Sequence, residues 1–117
     1  MDDLKKLYKD EAKKCITGIK KSVQKLDKNS YDEKVLLELR RLNHMLRGSS
    51  MQMDYNSVAI IASEISDNIK KLVGALQKKD HDTSRDIFIA IKALIKVLKT
   101  AVAAELNGKS LKLKRVK

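Results

Sequence analysis

Proline and tryptophan are absent from this chain, and its only aromatics are one phenylalanine and three tyrosines. So little aromatic material argues against a β-sandwich or barrel, and without proline nothing in the backbone forbids long helices. The single cysteine, Cys15, excludes a disulfide framework, and its place on the apolar side of a helix marks it as a small buried thiol. No cysteine and histidine cluster has zinc spacing, and no glycine-rich loop cradles a nucleotide, so metal and nucleotide enzymes are disfavoured. No stretch approaches the ~20 apolar residues of a membrane span. The N-terminus opens on Asp2, Asp3 and lysines instead of an apolar run, which reads as a soluble cytoplasmic protein. Acidic residues are also scarce: 15 Asp plus Glu against 26 Lys plus Arg leave a formal net charge of +11. A field of that sign favours acidic partners without choosing among nucleic acid, an anionic membrane surface and an acidic protein.

What is present is helical periodicity. The 117 residues are enough for one small core. Leu4, Leu7, Tyr8, Ala12, Cys15, Ile16, Ile19, Val23 and Leu26 recur at steps of three and four, predicting one long amphipathic helix. Ser30 with Glu33 makes a capping box and predicts a second helix from about Tyr31, with Val35, Leu39, Leu42 and Leu46 on its core side. It runs out around Ser50 to Met53. Asp54, Asn56 or Ser57 is a candidate cap for a third helix through Val58, Ile61, Ile65, Ile69, Leu72 and Leu76. Asp82 or Thr83 is a candidate cap for a fourth, through Ile87, Ile91, Leu94, Leu98, Ala101 and Val102. Asn107 and Gly108 suit a left-handed C-terminal cap. Short connections between long helices predict an all-α, antiparallel, up-down-up-down four-helix bundle over residues 1–108, with 109–117 a basic tail or the start of a linker.

The feature that asks for a function is "LNHMLRGSS", residues 42–50. At about 100° per residue, His44 projects roughly 170° from the centre of the expected core side, into solvent. Leu37 and Gly48 share that outer side, and Arg40 and Arg47 flank it within roughly 60°. An imidazole is neutral near pH 7 with a ring nitrogen free as nucleophile, and an adjacent arginine neutralises phosphate oxygens. Glycine one turn on removes a side chain that would obstruct a visiting active site. The plain alternatives are a solvated surface histidine and a glycine that ends its helix. Met45, Met51 and Met53 read first as core filling and second as an adaptable contact surface. His81, in "KKDHDT", reads as a solvated turn residue.

From His44 to Ser50, with "MQMDYNSVAIIA" after it and "YKDEA" from Tyr8 to Ala12, the sequence resembles histidine-containing phosphotransfer (HPt) domains, particularly the phosphoacceptor domain of the CheA-type chemotaxis kinases. The resemblance spans roughly residues 4 to 105 and implies an HPt-like helical bundle. It implies that His44 accepts a phosphoryl group from a histidine kinase catalytic domain and passes it to the aspartate of a CheY-like response-regulator receiver. The domain is then a carrier in two-component signalling and not an enzyme, with ATP and magnesium held by its partners and no cofactor of its own. Arg47 takes the place of the family's lysine. Leu37, Arg40, Arg41, Gly48 and Met51 form the expected docking surface. On the third helix Ser66 stands where CheA-type domains carry a glutamate against the histidine, and Ser63 where they often carry a second histidine. Asp54 replaces a turn glycine. Loss of the glutamate implies slower phosphorylation or a docking-only role. The competing reading is a basic helical module for nucleic acid or an anionic surface, with His44 incidental. The lysines are spread over the first, third and fourth helices, which favours a solvated basic surface and makes nucleic acid the less favoured partner. The exception is "KSLKLKRVK", Lys109 to Lys117, which reads as a linker or tail first and as a grip for nucleic acid, acidic lipid or protein second.

Overall fold

The computed structural model describes residues 2–28 and 31–109. They form four helices, α1 (Asp2–Lys28), α2 (Glu33–Gln52), α3 (Asn56–Gln77) and α4 (His81–Leu106), and no strand occurs among the described residues. The arrangement is a four-helix bundle in which α2 packs on both α1 and α3, α3 packs on α4, and α1 and α4 touch more sparsely than those three pairs.

The ends of the helices are set by local chemistry. Ser30 lies outside the described residues, and α2 is capped instead by Asp32, whose carboxylate accepts from the Lys34 N–H at 2.8 Å. A carboxylate directly before the first turn also meets the positive end of the helix dipole, which explains why it holds the cap. Likewise α4 is capped by Asp80, ahead of the expected Asp82 or Thr83, with the Thr83 N–H at 3.1 Å and the Thr83 hydroxyl at 2.7 Å both donating to it. His81, expected in the turn, is consequently the first residue of α4 and exposed. No side chain caps α3: its N-cap is Tyr55, and Asp54 belongs to the preceding helix end. There the Asp54 N–H donates to Met51 O and the Tyr55 N–H to Ser50 O, the two-bond closure that satisfies orphan carbonyls when one residue turns left-handed. Lys79 and Asp80 close α3 in the same way, and Gly108 and Lys109 close α4. The left-handed residues are Asp54 (φ 59°), Lys79 (φ 58°) and Gly108 (φ 74°). Only the last was legible as a glycine.

The core holds Tyr8, Ala12, Cys15 and Ile19 of α1, the expected Val58, Ile61, Ile65, Ile69 and Leu72 of α3, and Ile91, Leu98, Ala101 and Val102 of α4. Leu76 packs partly against it. Three expectations need correction. Leu4 and Leu7 are 59% and 64% exposed: Leu7 sits about 100° around the helix from the buried Tyr8, and Leu4 lies one turn before it, near the helix start. In α4, Phe88 and Ile95 are buried while Ile87 and Leu94 are only partly so. In α2 the buried positions are Leu36, Leu39, Asn43, Leu46 and Ser50, with Val35 and Leu42 at the margin. Two of those five are polar, and each has a partner inside. Asn43 Nδ2 donates to Ala62 O (2.8 Å) and Ser66 Oγ (2.9 Å), and the Ser50 hydroxyl lies 2.8 Å from the Tyr8 hydroxyl. Hydrogen bonding makes the burial of such groups affordable, and it turns α2 away from the orientation its leucines alone suggest. Among the described residues no helix is long and apolar enough to cross a membrane.

Candidate functional site

The rotation of α2 moves His44 without burying it. From the centre of the observed buried positions, the His44 side chain points roughly 120° away, on the flank of α2 that faces α3. It is exposed, and among the described residues no hydrogen bond or ion pair engages its ring. Exposed positions Leu37, Arg40, His44, Gly48 and Met51 repeat at three- and four-residue steps and form a continuous stripe.

Gly48 lies one turn beyond His44 and is inside the helix, because α2 continues to Gln52. A Cβ built there would meet nothing within 4 Å, so the space beside the imidazole is open. Helix termination therefore does not account for this glycine. Arg47 is half-buried with its Nε enclosed, and among the described residues that atom has no hydrogen-bond partner and no carboxylate pairs with the guanidinium. Arg40 is exposed and, among the described residues, likewise has no acidic partner. Arg41 differs: it forms an ion pair with Glu38, one turn back, and donates to Met45 Sδ at 3.1 Å. That pairing raises the Arg41 guanidinium and holds the Glu38 carboxyl below its usual range, so Arg41 is already committed within α2.

The methionines depart from the core-filling expectation. Met51 and Met45 are 54% and 40% exposed, and only Met53 packs against the core. Met51 and Leu37, the latter 56% exposed, leave apolar surface along the His44 flank, whereas Met45 lies around the helix beside Arg41.

On α3, Ser63 and Ser66 are both half-buried. Ser66 accepts from Asn43 Nδ2, and no hydrogen bond joins it to His44. Asn43 is fully buried on the side of α2 that meets α3. Its Oδ1 is left without a partner. Glu64 is exposed, away from this flank. Among the described residues, therefore, no group holds a ring nitrogen of His44.

Beside the stripe, a groove of about 460 Å³ opens between α2 and α3, lined by Leu37 and Arg40 on one side and by Ile69, Lys70 and Val73 on the other. Sequence reasoning missed Lys70 and Val73. The signal was the run Ser63, Ser66, Lys70, Val73, Gln77, which repeats at helical spacing on the α2-facing side of α3. Among the described residues no group of three or more His, Cys, Asp or Glu side chains could hold a metal ion. Cys15 is buried, and burial and the nearby Glu11 charge raise its thiol above the ordinary range. The chain was compared with protein-family models, with curated proteins and with solved structures, and none of the three gives a match.

Proposed function

We propose that this domain is an HPt-type phosphoryl carrier, with His44 as the acceptor. The observation that carries the reading is the site's composition: an exposed imidazole next to an open glycine position, flanked by two arginines, with no hydrogen bond to the ring and no carboxylate paired with either arginine among the described residues. A ring nitrogen of His44 would attack the γ-phosphorus of ATP held by a histidine kinase catalytic domain. A P–N bond forms, the bond to the ADP oxygen breaks, and ADP leaves. In the second transfer a receiver aspartate oxygen attacks phosphorus and the P–N bond breaks. Arg47 and Arg40 supply charge for the phosphoryl oxygens, which suits guanidinium groups that lack a carboxylate of their own. The groove with Leu37, Lys70 and Val73 would seat the partner.

The reading takes the bundle as antiparallel and up-down-up-down, and the domain as cytoplasmic. In support of the topology, Tyr8 near the start of α1 bonds Ser50 near the end of α2, and Ser57 at the start of α3 donates to Glu105 near the end of α4 at 2.8 Å. With Ser66 occupied by Asn43, no carboxylate assists the ring, and phosphorylation is slower than in a domain that has one.

The test incubates the domain with an active CheA-type kinase core and labelled ATP, comparing wild type with His44→Gln. Label that is acid-labile, base-stable and present on wild type alone is the expected result. Equal label on both proteins, or none on either with a kinase that labels its own phosphoacceptor domain, overturns the assignment.

A further inference from the structure

The lysines that sequence scatters along separate helices meet in space between α1 and α4. At one end of this seam Lys92 Nζ bonds Asp27 Oδ1 at 3.1 Å and ties the two helices together. In the middle Lys20 of α1 and Lys99 of α4 face each other, and contact with the Lys20 amine and its charge holds the Lys99 ammonium below the usual lysine range. Toward the other end the helices leave a groove of about 580 Å³, walled by Lys5, Lys6 and Lys9 and floored by Ala103, Leu106 and Asn107. Lys99, Ala103 and Leu106 are spaced by four and three residues, so one line on α4 leads from the facing ammoniums into the groove. From Lys9 to Lys20 the cationic wall runs about 16 Å along α1. None of these residues belongs to the His44 stripe.

Two like charges facing across a helix seam cost free energy that an intervening anion would recover. We infer that the α1/α4 groove is a second interaction surface, which takes an acidic helix of a partner protein. Carboxylates three and four residues apart on such a helix match the three- and four-residue spacing of Lys5, Lys6 and Lys9 on the α1 wall, and one further along reaches Lys99 on α4. Its small apolar side chains fit over Ala103 and Leu106, in the manner of a helix laid in a groove. A protein is favoured over a nucleic acid by the apolar floor and by the absence of any aromatic ring in the groove on which a base would stack. The surface is independent of the phosphoryl-carrier reading, and a partner held here leaves His44 uncovered.

The test is an amide NMR titration of the whole chain with a synthetic amphipathic peptide carrying glutamates at i, i+3, i+4 and i+7 and alanine or leucine between them, at about 0.15 M salt. The same titration is run with a duplex DNA of similar charge. Shifts confined to residues around Lys5, Lys9, Ala103 and Leu106 are expected. The double variant Lys9→Glu with Lys99→Glu should weaken peptide binding about tenfold or more, and lysine-for-glutamate exchange in the peptide should restore it. These lysines are exposed, and the circular dichroism spectrum should be unchanged. Scattered shifts, an affinity indifferent to charge reversal, or duplex DNA binding the groove more tightly than the peptide would each overturn the inference.

Discussion

Gly48 is where the phosphoryl-carrier reading and simple helix energetics make opposite demands. Replacing it with alanine places a methyl group in open space, since nothing lies within 4 Å of the new Cβ. No packing is lost, and glycine in a helix interior is about 1 kcal/mol less favourable than alanine. Gly48→Ala should therefore stabilise the domain by about 1 kcal/mol, raising the melting temperature by about 4 °C for a chain of this size. Gly74 in α3 is an internal control, because its Cβ also meets nothing within 4 Å, and Gly74→Ala should give the same gain. Gly18 is the contrast. Its Cβ would lie 2.7 Å from Leu42 Cδ1, so Gly18→Ala must displace that side chain and should gain little or nothing. Urea melts followed at 222 nm measure all three. Phosphotransfer from a kinase core then separates the positions: Gly48→Ala should slow transfer, and Gly48→Leu should slow it further, while Gly74→Ala leaves it unchanged. A Gly48→Ala protein that is destabilised would refute the helix argument. One that is stabilised and transfers at the wild-type rate, as does Gly48→Leu, would refute the role assigned to the open space.

Three other perturbations probe the frame that holds this site. Lys79 adopts a left-handed φ of 58°, so Lys79→Gly should stabilise by about 1 kcal/mol in thermal or urea melts, and a loss would show that the turn is not strained. Bonds from the Thr83 hydroxyl and then the Thr83 N–H hold the Asp80 carboxyl below its ordinary range. Its folded-state value is thus below its unfolded one, so its contribution is complete above about pH 4 and fades as pH falls through the depressed value. Asp80→Asn should flatten that part of the acid limb of a melting-temperature profile, and an unaltered limb would exclude the cap as its source. Asn43→Ala and Ser66→Ala should be non-additive by about 1 kcal/mol, the worth of the hydrogen bond between them, whereas strict additivity would mean the bond is not made in solution.

Much of the fold was legible because most of the core is apolar and periodic. The stripe from Val58 to Leu72 reads directly as a buried face, and all five of those expected residues are buried. The second helix was harder, since its inward side includes Asn43 and Ser50, and a pattern built on leucines turns toward Leu42 instead. Their partners, Ser66 and Tyr8, are on other helices and leave no local mark. His44 was placed outside on either count, but the flank toward α3, and with it Lys70 and Val73, depended on that rotation. The caps failed for a different reason: acidic and hydroxyl residues crowd each turn, and chain geometry alone decides which of Asp80, Asp82 and Thr83 closes the helix. The facing of Lys20 and Lys99 is a tertiary fact with no sequence period at all.

Leu37 and Met51 keep greasy area in contact with water, which ordinarily invites copies of a protein to stick together. Here Arg40 and Arg47 border that area, and the molecule carries a net charge of +11. Two such domains drawing near through this side meet mutual repulsion before the side chains touch. A visitor of opposite sign would meet no such barrier, so the charge that sets copies of the domain apart is the same charge that would draw an acidic partner in.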